Sequence, residues 1–127
     1  MLLLDTCTLL WLATEQDRLS NKSTKAIFQH ADNLYISSIS ALEIAFKYKR
    51  KLLLLPTNPE KWFTMAIKLH GITEIPVDST IAINSAMLPN YHNDPFDRLI
   101  IATATINQLS IVTADQKFND YEINIVW

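Results

Sequence analysis

The stretch Asp94-Pro95-Phe96-Asp97-Arg98-Leu99-Ile100-Ile101-Ala102 combines a helix start with an apolar run. Asp94 can cap a helix, and Pro95 suits the first helical position because the amide hydrogen that proline lacks is unpaired there anyway. The apolar residues that follow predict a core-facing helix over residues 96–107. A short apolar run, residues 110–114, comes next and is typical of a buried strand. A helix followed directly by a strand is the repeating unit of layered α/β folds.

The rest of the chain continues this alternation. Further strands are expected at residues 2–5, 34–36, 72–77 and 122–127, and further helices near residues 8–12, after Ser20, over residues 38–51, from Asn58-Pro59 to Gly71, and after Asp78. The alternation predicts an α/β fold with a mainly parallel sheet, and the length fits one domain spanning residues 1–127.

Composition excludes several classes of protein. Cys7 is the only cysteine, so an internal disulfide or a cysteine-based zinc site is impossible, and this fits a reducing cytoplasm. Gly71 is the only glycine, which excludes the glycine-rich phosphate loops of nucleotide-binding proteins. The apolar start lacks a basic leader and is interrupted by Asp5, so neither a signal peptide nor a membrane span is expected. The net charge of -2 gives no global attraction to nucleic acid.

Four acidic residues lie in apolar surroundings: Asp5, Glu43, Asp97 and Asp115. Buried carboxylates are rare because removing their charge from water is costly without a partner. Asp5 and Asp115 end predicted strands, and parallel sheets bind ligands beyond the carboxyl ends of their strands. Glu43 and Asp97 lie on helices near the same edge. We therefore expect the four to converge on a divalent cation, Mg²⁺ or Mn²⁺, since oxygen ligands favour these over zinc.

Each acid also has a purely structural explanation. Asp94 is a candidate helix cap, Ser40 and Glu43 match a capping box, and Asp115 suits a turn. Like charges gathered without a cation would, however, repel by roughly 4 kcal/mol per pair at 4 Å with an effective dielectric constant near 20. The histidines show no ligand spacing and are interpreted as ordinary surface or partly buried residues, His92 least securely because it is close to Asp94. Apolar helix residues are interpreted as core: Trp62, Phe63, Leu69 and Met87.

Four motifs resemble the PIN-domain family, and most closely the VapC-type toxins of bacterial type II toxin-antitoxin pairs. They are Leu3-Leu4-Asp5-Thr6, residues 40–45, residues 94–102 and Thr113-Ala114-Asp115, in the family's order and at its usual spacing. The resemblance covers essentially the whole chain and implies a three-layer α/β/α fold. It also implies a Mg²⁺- or Mn²⁺-dependent endoribonuclease that leaves 5′-phosphate and 3′-hydroxyl ends.

The same resemblance assigns roles to individual residues. Asp5, Glu43, Asp97 and Asp115 match the four metal-binding and catalytic acids, and the accessory positions are Asp94, Thr113 and, more weakly, Thr6. It implies an RNA substrate, with tRNA or rRNA loops plausible, a cognate antitoxin, a homodimer, and a cytoplasmic location without membrane contact.

A basic cluster could guide RNA or simply be a solvated helix end; it consists of Lys47, Lys49, Arg50 and Lys51.

Dehalogenase-like phosphatases and phosphoacceptor receiver domains need further acids after the first strand, where this chain has Thr6 and Cys7. A catalytically inactive PIN-like module that binds RNA or protein is the main alternative, although four intact acids count against it.

Overall fold

The sheet is built around the first strand. The computed structural model describes all residues, Met1–Trp127, and contains five strands: β1 (Leu2–Leu4), β2 (Leu34–Ser37), β3 (Thr73–Ile75), β4 (Ser110–Val112) and β5 (Ile125–Val126). Their order is β3-β2-β1-β4-β5, and every neighbouring pair is parallel. In the central register, Leu4 lies between Ile36 of β2 and Val112 of β4. The predicted mainly parallel sheet is therefore confirmed.

Six α-helices connect the strands: α1 (Thr6–Thr14), α2 (Asn21–Gln29), α3 (Ser38–Lys49), α4 (Pro59–Leu69), α5 (Ser79–Met87) and α6 (Pro95–Asn107). Two 3₁₀ helices, Gln16–Arg18 and Gln116–Asp120, complete the structure. None of the helices combines the length and apolarity needed to cross a bilayer.

Local side-chain chemistry determines where most helices begin. The side chains of Ser20, Asn58, Asp78 and Asp94 each accept a hydrogen bond from a backbone N–H in the first turn. Such caps satisfy backbone donors that the helix itself leaves unpaired. All four caps were predicted, and all are confirmed. Gly71 follows α4 with a left-handed φ of +63°, a conformation that glycine adopts without steric cost.

The core lies on both faces of the sheet. Leu2 and Leu4 pack into one apolar cluster with residues of α1 to α4, whereas Leu3 packs into a second cluster with Ile100 and Ile101 of α6. This division follows from the alternation of side chains along a strand. Helices therefore cover both faces, and α5 packs beside α6. The three-layer α/β/α architecture is confirmed.

Three expectations need correction. Four of the strands are shorter than predicted, β2 extends one residue further than predicted, to Ser37, and α3 stops at Lys49 because Lys51 has a left-handed φ of 58°. Trp62 and Phe63 are buried as predicted, but the side chains of Leu69 and Met87 are 81% and 78% exposed and do not belong to the core. Both lie at the ends of their helices, where no neighbouring element covers them.

Candidate metal-binding active site

The predicted acids line one cleft at the carboxyl edge of the sheet. This cleft has a volume of about 320 Å³ and is bounded by Asp5, Thr6, Cys7, Trp11, Glu43, Asp94, Asp97, Ala114 and Asp115. All four main acids and the accessory Asp94 are therefore brought together. They come from the ends of β1 and β4 and from helices α3 and α6, so the sheet topology places them.

Asp5 is the most deeply buried of the acids, with 7% of its surface exposed. It joins β1 to α1, and its Oδ1 accepts a 2.8 Å hydrogen bond from the Thr8 backbone N–H, which caps α1. The Thr113 hydroxyl donates to its Oδ2. Burial nevertheless raises the pKa of Asp5, because desolvation outweighs these hydrogen bonds, and the charge of Glu43 raises it further.

Thr113 links two of the acids. Its buried hydroxyl donates to Asp5 and accepts a 3.0 Å hydrogen bond from the Asp115 backbone N–H. Asp115 caps the second 3₁₀ helix, its Oδ1 accepting from the Lys117 N–H. The predicted role of Thr113 was to orient a ligand or water. In the structure its hydroxyl holds Asp5, one of the acids predicted to bind metal.

Glu43 has one carboxylate oxygen with a partner and one without. Its Oε2 lies 3.4 Å from the Lys47 ammonium, one turn further along α3. Its Oε1 is buried and has no hydrogen-bond partner. A buried acceptor without a partner is costly, and such groups in native proteins often mark a site for an ion or ligand.

Asp97 lies in the first turn of α6, after its cap Asp94. Its pKa is raised to about 6, first by burial and then by the nearby charge of Asp94. Its Oδ2 is 2.8 Å from Nε2 of His92, an interaction that counteracts the rise. His92, Asp97 and Asp115 each offer a ligand atom within 4.8 Å of the others.

The pKa of the Cys7 thiol shows the sign of the electrostatic potential inside the cleft. Burial raises the pKa of this thiol, and the negative charges of Asp5, Glu43 and Asp97 raise it further, whereas Lys47 acts in the opposite direction. Excess negative potential in a partly dry cleft is the environment in which a divalent cation binds favourably. The donor set, mostly carboxylate oxygens, fits Mg²⁺ or Mn²⁺.

The capping-box interpretation of Ser40 and Glu43 is wrong. Helix α3 begins earlier, with Ser37 as its cap, so Glu43 lies in the second turn. Ser40 is fully buried and accepts a 2.9 Å hydrogen bond from the Thr6 hydroxyl. Thr6, an accessory candidate that lines the cleft, therefore joins α1 to α3 through this hydrogen bond.

The basic cluster at the end of α3 is divided by the structure. Lys47 pairs with Glu43 at the cleft. Lys49, Arg50 and Lys51 are exposed beyond it, and the Arg50 guanidinium lies 5.3 Å from the ring centroid of Phe46. Only the first of the four cations contacts an active-site acid.

Sequence reasoning missed three residues beside the acids. His92 contacts Asp97, and Trp11 is the one aromatic side chain on the cleft wall. Arg98 donates to the carbonyls of Pro89, His92 and Leu88 and so holds the loop before α6. The only available signals were the proximity of His92 to Asp94 and the place of Arg98 in the motif.

Comparison of the sequence with known proteins identifies a matching family and a similar ribonuclease. The chain matches the family model described as PIN domain over residues 2–124. Ribonuclease VapC22 of Mycobacterium tuberculosis is 29% identical over 120 residues, covering 94% of this chain and 90% of that protein.

Solved structures share the fold at low sequence identity. DNA-bound VapBC from Salmonella typhimurium has a TM-score of 0.70 at 17% identity, covering 98% of this chain and 95% of that one. VapBC2 from Rickettsia felis, bound to a promoter DNA fragment, has a TM-score of 0.71 at 16% identity, with coverage of 98% and 96%. These likenesses support the α/β/α fold described above.

Proposed function

The chain belongs to the PIN-domain family, as its motifs predicted, and we propose that it is a metal-dependent endoribonuclease that forms the toxin of a toxin-antitoxin pair. Similarity to Ribonuclease VapC22 supports the ribonuclease activity. The main alternative, an inactive PIN-like binding module, would have no use for the acidic cleft.

One observation carries the proposal. Five carboxyl groups line a single cleft, and Glu43 Oε1 is buried there without any hydrogen-bond partner. Without a cation this arrangement combines like-charge repulsion with an unsatisfied acceptor, and both are unfavourable. A divalent cation held by Asp5, Glu43, Asp97 and Asp115 would relieve both.

The side chains of the cleft have separable roles in this proposal. The four acids would hold the cation, which would lower the pKa of a bound water molecule and stabilise charge on a phosphodiester. Thr113 and Thr8 fix the orientation of Asp5. Asp94 caps α6 and adds negative charge near Asp97. Attack by water on the phosphorus, with cleavage of the P–O3′ bond and departure of the 3′ oxygen as a hydroxyl, would leave 5′-phosphate and 3′-hydroxyl ends.

The surroundings of the cleft suit single-stranded or loop RNA, such as a tRNA or rRNA loop. Trp11 lines the cleft and can stack on a base, with the guanidinium of Arg18 4.8 Å from its ring centroid. Lys49, Arg50 and Lys51 offer exposed cations to the phosphates further along the strand.

We also propose a cytoplasmic protein that forms a homodimer and binds a cognate antitoxin. The chain is similar to the solved VapBC complexes, which supports an antitoxin partner. Exposed apolar side chains on α5, including Ile83 and Met87, are available for contacts between copies.

The decisive experiment is cleavage of a pool of single-stranded and hairpin RNAs by the purified protein. We expect cleavage with Mg²⁺ or Mn²⁺ and none in EDTA. The products should resist 5′ labelling by kinase until they are dephosphorylated, because they carry 5′-phosphates. Cleavage that persists in EDTA, or that leaves cyclic phosphates, would contradict the mechanism.

Two matched variants distinguish the effect of removing an acid from the cleft from the effect of changing the net charge alone. Asp97→Asn should lose at least 100-fold in rate, since it removes one of the acids that hold the cation. Asp32→Asn removes an exposed acid from the turn before β2, at the opposite edge of the sheet, and should leave the rate unchanged. Equal rates in both variants would contradict the proposed role of Asp97 in holding the cation, whereas no cleavage by the wild-type protein would favour the inactive binding module.

A further inference from the structure

The imidazole of His92 lies beside one of the four acids, and the proposed role of those acids in holding a cation does not explain its position. His92 is 9% exposed, and its ring meets the fully buried ring of Phe118 edge-on, with centroids 6.2 Å apart. Its Nε2 lies 2.8 Å from Asp97 Oδ2. A histidine at this distance from a metal-binding acid can either bind the metal or orient the acid.

The second ring nitrogen decides between these roles. The backbone N–H of Asp94 donates to His92 Nδ1 over 3.4 Å. Because Nδ1 accepts a hydrogen bond, it carries the lone pair, and the proton of the neutral ring is on Nε2. Nε2–H then donates to Asp97 Oδ2, and a protonated nitrogen has no lone pair for a metal.

The loop that carries His92 is held rigidly from outside the cleft. Arg98 donates to the carbonyl of His92 over 3.0 Å and to those of Pro89 and Leu88. The Tyr121 hydroxyl accepts from the His92 backbone N–H over 3.1 Å and donates to the Pro89 carbonyl over 2.8 Å. These bonds fix the main chain of His92 relative to α6, and the packing of its ring against Phe118 limits the freedom of the ring to turn.

We propose that His92 is a positioning residue for the nuclease reaction: its Nε2–H holds Asp97 Oδ2 and leaves Oδ1 for the cation. This inference rests on the proposed metal-dependent function. Although the ligand atoms of His92, Asp97 and Asp115 lie within 4.8 Å of one another, His92 acts through Asp97 and does not bind the metal. Partners of this kind set the orientation of a ligand, and their loss typically weakens metal binding 10- to 100-fold.

Nitrogen NMR of the imidazole tests the hydrogen-bond arrangement without any activity assay. In ¹⁵N-labelled wild-type protein, we expect the His92 ring to show the tautomer protonated on Nε2, and to keep it when Mg²⁺ is added. The His92→Gln variant assigns the signals by their disappearance. Loss of the Nε2 proton on Mg²⁺ addition would make His92 a ligand and overturn the proposal.

Calorimetry with Mn²⁺ tests the predicted effect of His92 on metal affinity. His92→Gln keeps an N–H donor at a similar reach and should bind Mn²⁺ within about 3-fold of wild type. His92→Leu removes the donor and should bind roughly 10- to 100-fold more weakly. His70→Leu, on the C-terminal end of α4, is the control and should match wild type. Thermal melting of each variant confirms that it is folded.

The outcomes separate this inference from the function on which it rests. Wild-type affinity in His92→Leu, or equal weakening in His92→Gln and His92→Leu, would overturn the positioning role while leaving the nuclease intact. Absence of Mn²⁺ binding in the wild-type protein would instead contradict the proposed metal-dependent function, and the NMR measurement on the metal-free protein would still test the His92–Asp97 hydrogen bond.

Discussion

Asp5 and Asp97 show how burial prepares a carboxyl group for a cation. Both have a raised pKa, mainly because burial disfavours the charged form. Both also retain hydrogen-bond donors that favour the charge and fix the orientation of the oxygens. Each group is therefore ordered in the absence of metal, and metal binding must displace any proton that it carries.

The raised pKa of Asp97 has a definite sign for stability. In the folded, metal-free protein this carboxyl titrates near pH 6, whereas in the unfolded chain it titrates near its usual value of 3.8. The folded state therefore binds the proton more tightly, and this contribution to stability is present below about pH 4 and is lost as the pH rises to about 6. In EDTA, Asp97→Asn should raise the free energy of unfolding more at pH 7 than at pH 4.5.

Urea unfolding of the wild type and Asp97→Asn at the two pH values measures this difference. The same effect of the substitution at both pH values would show that Asp97 has no raised pKa in the folded protein. Asp32→Asn, at the opposite edge of the sheet, is the control because its side chain is exposed.

The residue scale also shows where sequence reasoning succeeds and fails. Capping residues such as Asn58 and Asp94 were predictable because a cap depends only on the next few residues. The hydrogen bond between His92 and Asp97 was not predictable, because it requires the loop conformation that Arg98 fixes. The false capping box at Ser40 arose because a local pattern cannot show where β2 ends and α3 begins.

At the scale of elements, helix α3 divides its cations between two environments. Lys47 lies at the cleft beside Glu43, whereas Lys49, Arg50 and Lys51 form its exposed end and the turn that follows. The sequence left open whether this cluster guides RNA or is a solvated helix end, because spacing alone does not reveal which side of the helix meets the cleft. Only the exposed group is free to bind RNA without disturbing the acids.

Charge reversal tests that division. In an Asp97→Asn background, Lys49→Glu with Arg50→Glu should weaken binding of a single-stranded RNA and flatten its salt dependence, by a slope of about 0.7 for each phosphate that is no longer neutralised. Fluorescence anisotropy at several salt concentrations measures both quantities. The paired control, Lys61→Glu with Lys68→Glu on α4, changes the net charge equally at another surface. An unchanged salt slope in the first variant would refute the proposed role of these cations in RNA binding.

At the scale of the whole molecule, the sheet topology assembles the site. The central position of β1 places Asp5 beside the residues that follow β4, and the α3 and α6 helices bring Glu43 and Asp97 to the same edge. The sequence predicted this convergence because strand ends in a parallel sheet share an edge. It did not predict which apolar side chains are exposed, since periodicity identifies a helix face but not the neighbour that covers it. For this reason Leu69 and Met87 were assigned to the core, although both side chains are exposed.

The exposed face of α5 leads to a prediction about assembly. Ile83 and Met87 are four residues apart and 64% and 78% exposed, so they form an apolar strip on one helix face. We expect light scattering to give twice the 14.5 kDa mass of one chain, and Met87→Glu to shift the protein toward the monomer. Met65→Glu, on α4, is the control. A monomeric wild type would contradict the proposed homodimer.

The position of β1 in the middle of the sheet also has a consequence during synthesis. Asp5 leaves the ribosome 110 residues before Asp115, and its neighbour Thr113 comes only shortly before Asp115. The first strand must therefore wait until residues 110–112 have been synthesised before the strand on its second side is available. A nascent chain that has not yet reached Asp115 has no complete acidic cleft, so the proposed nuclease cannot act on the translating ribosome and its RNA before that residue is made.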